Sequence, residues 1–340
     1  MQRQRVDEEP EAAAGPAAAP EPGGWPSWVE PQLATLTKDR FSDPAWIFER
    51  KLDGERCLAF RGPSQDARLL TRNARDVTST FPEIAAALDG QRADGYIVDG
   101  EIVAFADGQT RFERLQQRLG VVHPEPKLIA GFPVFYYIFD VLYAGGRDTR
   151  PRPELDRKHL LADLLSFGGA LRYTEHRVGG GEAFYQSACQ QGWEGLIAKR
   201  ADAPYRVGRT RNWLKFKCLA GQEFVIGGYT DPRGSRLGFG ALLLGYYDTA
   251  GRLTYAGKVG TGFDNQMLRR LRAELGTMER DTPAFEAGDP PRAGVHWVEP
   301  RLVGEIAFAE WTDEGLLRQP RFQGLRDDKD AAEVVRETPQ

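Results

Sequence analysis

The chain is short of the residues that build thiol and metal sites. Its 340 residues hold three cysteines (Cys57, Cys189, Cys218) and four histidines (His123, His159, His176, His296). The cysteines are odd in number, far apart and set in or beside apolar runs, with no zinc-ligand spacing. They read as free thiols in a reducing compartment, against a disulfide frame. No H-x-x-x-H pair exists, so histidine-based metal or nucleophile chemistry has no support. No apolar run reaches membrane-span length, and the N-terminus has no apolar signal core. A cytoplasmic protein without membrane contact is expected. No G-x-x-x-x-G-K-[ST] loop occurs, which excludes a P-loop NTPase, and Gly260-Thr261-Gly262 is only a partial G-x-G. A charge excess is also missing: 45 basic against 49 acidic residues leave a net −4, which does not announce a nucleic-acid binder.

What remains is a globular composition, 41% hydrophobic and 28% charged, with length for two domains. Residues 1–24 are rich in Ala, Pro, Glu and Gly without periodicity, and read as a disordered tail. Residues 25–220 form the first domain. Strand-like runs lie at 46–50, 56–61, 68–72 and 135–143, with helical patterns at 81–88, 112–119, 154–165 and 182–191. In the 154–165 pattern the apolar residues are Leu155, Leu160, Leu161, Leu164 and Leu165. Residues 96–105 are two apolar runs around Asp99-Gly100-Glu101, either a hairpin turn or a carboxylate aimed into a pocket. The texture changes near Leu219–Gly221. Residues 221–336 offer about five short strands, Gly-rich turns and one helix at 264–275, the pattern of a small Greek-key barrel such as an OB-fold.

Charged residues beside glycine recur at the ends of strands. Lys51-Leu52-Asp53-Gly54-Glu55-Arg56 holds a lysine between two strand-like runs. Trp193-Glu194-Gly195-Leu196-Ile197-Ala198-Lys199-Arg200 sets an acid before a strand. Trp213-Leu214-Lys215-Phe216-Lys217 alternates, so period two places Lys215 and Lys217 on one face. Two ammonium groups there repel unless something anionic sits between them. A phosphate-binding strand therefore competes well with a solvated edge.

In this order K-L-D-G-E-R, D-G-E, the aromatic strand ending Phe139-Asp140, E-G-L-I-A-K-R, W-L-K-F-K and the C-terminal L-R-D-D-K resemble the covalent nucleotidyltransferases. W-I-F-E-R-K-L-D-G-E-R, Q-E-F-V-I-G-G-Y-T, G-K-V-G-T-G-F and L-R-Q-P-R-F-Q-G-L-R-D-D-K look most like the ligase module of bacterial end-joining ligase D proteins. The resemblance implies an α+β fold: an adenylation domain of packed antiparallel sheets with helices, then an OB-fold. It implies an ATP-dependent DNA ligase working through lysyl-AMP, with Mg²⁺ or Mn²⁺, on nicked or broken duplex DNA. A monomer in the nucleoid is implied, working either alone or with Ku and a separate repair polymerase or nuclease, any of which would act in trans. Lys51 would be the nucleophile, its pKa lowered by nearby cations. Lys215 and Lys217 would hold the α-phosphate. Glu49 would meet the adenine amino edge, Phe139 would stack on the base, and Arg56 and Glu101 would hold the ribose. Arg209 would hold the AMP phosphate, Arg72 the DNA 5′-phosphate, and Glu194 and Asp53 the metal. Arg318, Arg326 and Lys329 would orient pyrophosphate. Two positions depart from the family: Ala74, where glycine usually follows R-N, and Gln319, where relatives carry histidine. An RNA ligase or GTP-using capping enzyme and a non-catalytic DNA-end-binding module are the alternatives.

Overall fold

A computed structural model describes residues 26–337 except 219, 233, 235, 327 and 328. The expected tail, residue 219 at the expected domain boundary, and Asp327 and Asp328 of L-R-D-D-K lie outside the described residues.

Two sheets face each other in the first domain. The first has five strands in the order Gln32–Leu36, Gly208–Lys217, Gly195–Arg200, Trp46–Lys51, His176–Val178. Only its edge pair, Gln32–Leu36 on Gly208–Lys217, is parallel. The second is built on Arg68–Thr71, Glu55–Arg61, Tyr96–Ala106 and Val134–Ala144. Residues 96–106 are one continuous strand, so the hairpin reading of Asp99-Gly100-Glu101 gives way to inward carboxylates. Leu58, Phe60, Leu70, Ile97, Leu142 and Trp213 fill the space between the sheets. Alternating strands leave each sheet a second apolar face, and helices cover both. Helix Pro82–Asp89 contributes Ile84 and Leu88 to one outer core. Helix Gly181–Gln190 sets Phe184 and Ala188 against Phe48, Leu214 and Phe216 on the other.

That second packing overturns the reading of the cysteines. The helix end meets the end of strand Gly208–Lys217, and Cys189 is disulfide-bonded to Cys218 with Cα atoms 5.3 Å apart. Cys57, buried in the core, lies outside this disulfide. A separation of 29 residues carries no signal of this, because tertiary packing alone joins the two. The argument from thiols to a reducing compartment therefore falls. Among the described residues no helix is long and apolar enough to cross a membrane. Cys218→Ser is expected to lower stability by about 2–4 kcal/mol, the usual worth of a native cross-link. An unchanged denaturation midpoint under non-reducing conditions would count against the pairing.

Strand Ala220–Thr230 opens the second domain. It pairs along its first half with Val303–Phe308 and along its second with Leu242–Tyr247 and Val295–Val298. Leu253–Val259 and Arg321–Leu325 extend the sheet, which curls around Phe224, Ile226, Leu242, Leu244, Ile306 and Phe322 as an OB-type barrel. Helix Asn265–Gly276 closes one end. Leu268, Leu271 and Leu275 point inward, and Asp264 caps its first turn by accepting from the Met267 N–H at 2.7 Å.

Candidate active site

Strand register assembles the site. Across the first sheet Lys217, Gly195 and Lys51 lie in one row, and Lys215, Ile197 and Glu49 in the next. Residues two apart on a strand share a face, so Glu49, Lys51, Lys215 and Lys217 all look into the space between the sheets. The second sheet answers with Arg56 opposite Glu101, and with Phe139. The barrel closes the open end with Glu223, Glu305, Arg326 and Lys329. One pocket is lined by all of these together with Asp53, Arg72, Glu194, Lys199, Arg209 and Trp213.

Two glycines let the backbones come this close. At Gly195, φ is +152° and a Cβ would meet the Phe216 carbonyl oxygen at 1.9 Å. At Gly54 it would meet the Ile102 carbonyl oxygen at 2.1 Å. The glycines after Glu194 and Asp53 therefore belong to the architecture.

Lys51 Nζ donates to Glu194 at 2.6 Å. Burial is the largest single influence and lowers its pKa, but the charge and hydrogen bond of Glu194, with the charge of Glu101, together turn the net shift upward. The expectation of a lowered pKa fails for this reason. Lys217 does oppose the ammonium, more weakly than the carboxylate favours it. Asp53 is pushed up to about 6 by burial and by the neighbouring Glu194 charge.

Arg56 is gripped by Asp99, the first acid of D-G-E, to which the sequence assigns no specific role. Its Nε and Nη2 donate to Asp99 at 2.8 and 2.6 Å, and the Tyr205 hydroxyl donates to the same carboxylate at 2.7 Å. Asp99 is fully buried. Burial works against the Arg56 charge, but Asp99 more than offsets it and the pKa rises. The guanidinium lies 5.0 Å from the Phe139 ring centre, so the aromatic wall and the arginine form one surface.

The anion expected between Lys215 and Lys217 is Glu337. It pairs with Lys215 and, at 3.5 Å, with Lys217, while Lys217 also donates to the Gly221 carbonyl. The Glu337 N–H donates to Gln222 at 3.0 Å. Burial tends to raise the Glu337 carboxyl, yet the two lysines bring it down to about 2. Lys215 falls to about 8 through burial and the Lys217 charge, Glu337 notwithstanding. Lys217 rises despite burial, chiefly through Glu337.

The remaining expected residues divide. Arg326 sits 3.4 Å from Glu305, and Lys329 sits 3.1 Å from Glu223, both at the pocket. Arg209 donates to the Ala34 carbonyl, and Arg72 lies 3.4 Å from Glu333. Arg318 is not brought to the pocket: it is exposed and paired with Glu310 at 2.6 Å. The short strand carrying it pairs with Glu310–Trp311 instead. Among residues the motifs missed, Glu223 and Glu305 face each other across the barrel strands. Period two along residues 220–230 is the one trace of Glu223 in the sequence.

Ala74 keeps a glycine-like turn. Its φ is +60°, and its N–H donates to the Thr71 carbonyl at 2.9 Å. An L-residue there costs about 1–2 kcal/mol. Ala74→Gly is therefore expected to raise stability by roughly 0.5–1 kcal/mol, the gain being reduced by glycine's freer unfolded chain. A lower melting temperature for Ala74→Gly would contradict that backbone assignment.

A lysine between two sheets, phosphate-ready cations on the neighbouring strand and a barrel over the opening define a covalent nucleotidyltransferase. Residues 31–217 match the ATP dependent DNA ligase domain, and residues 235–329 the ATP dependent DNA ligase C terminal region. The chain belongs to the ATP-dependent DNA ligases. It is 38% identical over 337 residues to the multifunctional non-homologous end joining protein LigD of Pseudomonas aeruginosa, covering 96% of this chain and 39% of that protein. The LigD of Mycobacterium tuberculosis is 36% identical over 315 residues, covering 91% and 40%. This chain thus spans about two fifths of these relatives. A solved mycobacterial DNA ligase D complexed with ATP and MES superposes with a TM-score of 0.65 at 34% identity, covering 90% of this chain and 98% of that one.

Proposed function

We propose that this chain seals nicks and breaks in duplex DNA during end joining, using ATP and a lysyl-AMP intermediate on Lys51. The observation that carries the reading is the row Lys217–Gly195–Lys51 beside Glu194, which sets an amine and a phosphate-binding cation on one face. Lys51 Nζ, once neutral, attacks the α-phosphorus. The P–N bond forms as the P–O bond to pyrophosphate breaks; pyrophosphate leaves with the electron pair, and the nitrogen gives up its extra proton to solvent. Lys215 and Lys217 offset the charge that builds on the α-phosphate. Phe139 stacks on adenine, Glu49 accepts from its amino group, and Arg56 and Glu101 hold the ribose. Arg326 and Lys329, carried by the barrel, orient pyrophosphate. AMP then passes to the DNA 5′-phosphate, gripped by Arg72 with Arg209 on the AMP phosphate. The 3′-hydroxyl finally displaces AMP. Units 25–220 and 221–336 must part between the first step and the clamping of DNA.

Asp53 and Glu194 suit a divalent cation. Their mutual repulsion, seen in the raised Asp53, is what a hard cation relieves. A pair of carboxylates suits Mg²⁺, an ion that uses one or two of them and completes its shell with phosphate and water. Bound there, it would neutralise phosphate charge.

Glu337 lies where the phosphate would. Binding of ATP requires it to leave, and a competing anion lowers apparent affinity by the fraction of time the site is free. Glu337→Gln is expected to tighten ATP binding about tenfold by calorimetry. Unchanged or weaker binding would show that Glu337 and the nucleotide do not share these lysines.

The function is tested with ATP labelled in the α-phosphate. Label should appear on the denatured protein and chase onto nicked DNA, which is then sealed. Label from GTP alone would favour a capping enzyme, and a chase onto RNA alone an RNA ligase. No label from either nucleotide would leave a DNA-end-binding module.

A further inference from the structure

Helix Glu154–Leu164 turns charges inward. The leucine spacing marks an apolar face, yet the buried residues are Glu154, Arg157 and Lys158 with Leu161. Three carboxylates (Asp140, Glu154, Glu49) and three cations (Arg157, Lys158, Lys199) are enclosed together, each 2% exposed or less. Arg157 donates to both oxygens of Asp140 and to Glu154. Glu154 accepts from Lys199 at 3.1 Å and from the Trp213 indole at 3.1 Å. Lys199 reaches Glu49 at 2.9 Å. Lys158 reaches the other Glu49 oxygen at 2.7 Å and donates to the Thr174 carbonyl at 2.7 Å.

Such an array is costly to desolvate, and apolar residues of similar volume would usually hold the fold as well. The array reaches the pocket at Glu49 and Lys199, which line it beside Phe139, whereas Lys158 does not line it. Each Glu49 oxygen faces one ammonium. A carboxylate has about four lone-pair sites, so acceptor capacity remains for a ligand. With a cation on each side, Glu49 is fixed in place, and its Oε1, ion-paired with Lys158 but accepting no hydrogen bond, keeps its acceptor capacity.

We propose that Lys158 is a positioning residue for base selection, holding Glu49 so that it accepts from the 6-amino group of adenine. The proposal rests on the lysyl-AMP reading above. Lys158 touches no nucleotide and acts through Glu49. A purine bearing hydrogen at position 6 offers Glu49 nothing, and one bearing a carbonyl meets two acceptors face to face.

The test is a double-mutant cycle on lysyl-AMP formation, followed by mass spectrometry of the intact protein. Wild type, Glu49→Gln, Lys158→Met and the double variant are each given ATP and, separately, the triphosphate of 6-unsubstituted purine riboside. Wild type should prefer ATP by roughly 10- to 100-fold in kcat/KM, about the worth of one hydrogen bond to a charged group. Lys158→Met should lose most of that preference through KM rather than kcat. The double variant should match Glu49→Gln alone in its preference, because Lys158 has no route except Glu49. It removes both partners of the buried pair, so it carries the comparison even if Lys158→Met fails to fold. A preference in the double variant clearly below that of Glu49→Gln, or a soluble Lys158→Met that keeps the wild-type preference, overturns the proposal. Failure of wild type to form any adduct would instead overturn the lysyl-AMP reading.

Discussion

Lys51→Arg forms no covalent AMP adduct, although it keeps the positive charge beside Glu194. A guanidinium stays protonated in proteins and has no lone pair to offer phosphorus. In the wild type the attacking form is the neutral amine. Glu194, 2.6 Å away, stabilises the ammonium, so the pKa lies above the usual lysine value. The neutral fraction at neutral pH is correspondingly small. The single-turnover rate of adduct formation should therefore rise about tenfold per pH unit through neutrality, flattening only once the amine is mostly deprotonated. A rate independent of pH between 6 and 8 would mean that the amine is already neutral once ATP is bound, contradicting an ammonium as the resting form. Residual adduct in Lys51→Arg would place the nucleophile elsewhere.

Asp99→Ala should be the most damaging substitution that touches no nucleotide. It leaves Arg56 without its bidentate partner and the Tyr205 hydroxyl without its acceptor, in a site where Asp99 is wholly buried. Removing one member of such a pair costs about 3–5 kcal/mol. The melting temperature should fall by roughly 10 °C for a chain of this size. KM for ATP should rise as well, because Arg56 loses its fixed place beside Phe139. Asp99→Asn, which keeps one acceptor oxygen, should show a smaller version of both effects. Normal melting and a normal KM in Asp99→Ala would refute the role given to this pair.

The sequence made some of this site readable and hid the rest for physical reasons. Period two alone puts Lys215 and Lys217 on one face, and the K-L-D-G-E-R turn marks Lys51. Glu49, Arg56, Glu101 and Phe139 are legible only through the resemblance, and the register of the two sheets is what brings them to the pocket. The continuous strand through Asp99 was legible only as one of two possibilities, because a buried acid signals itself only once Arg56 and Tyr205 are in place. Glu337, Glu223 and Glu305 reach the pocket through the docking of the barrel, which no local pattern encodes. Helix Glu154–Leu164 packs Leu160, Leu161 and Leu164, with the following Leu165, in or against the core as its spacing marks, but its buried charges were hidden because their partners sit on other strands. Cys189 and Cys218 met for a similar reason, and Arg318 went astray because its strand pairs outside the pocket.

The most direct measurement is peptide mass mapping of the protein after incubation with ATP and Mg²⁺. The account expects one adenylyl group per chain, located on Lys51 and released by pyrophosphate. An adduct on Lys199 or Lys215, or none under conditions in which the chain still seals nicked DNA, would contradict it.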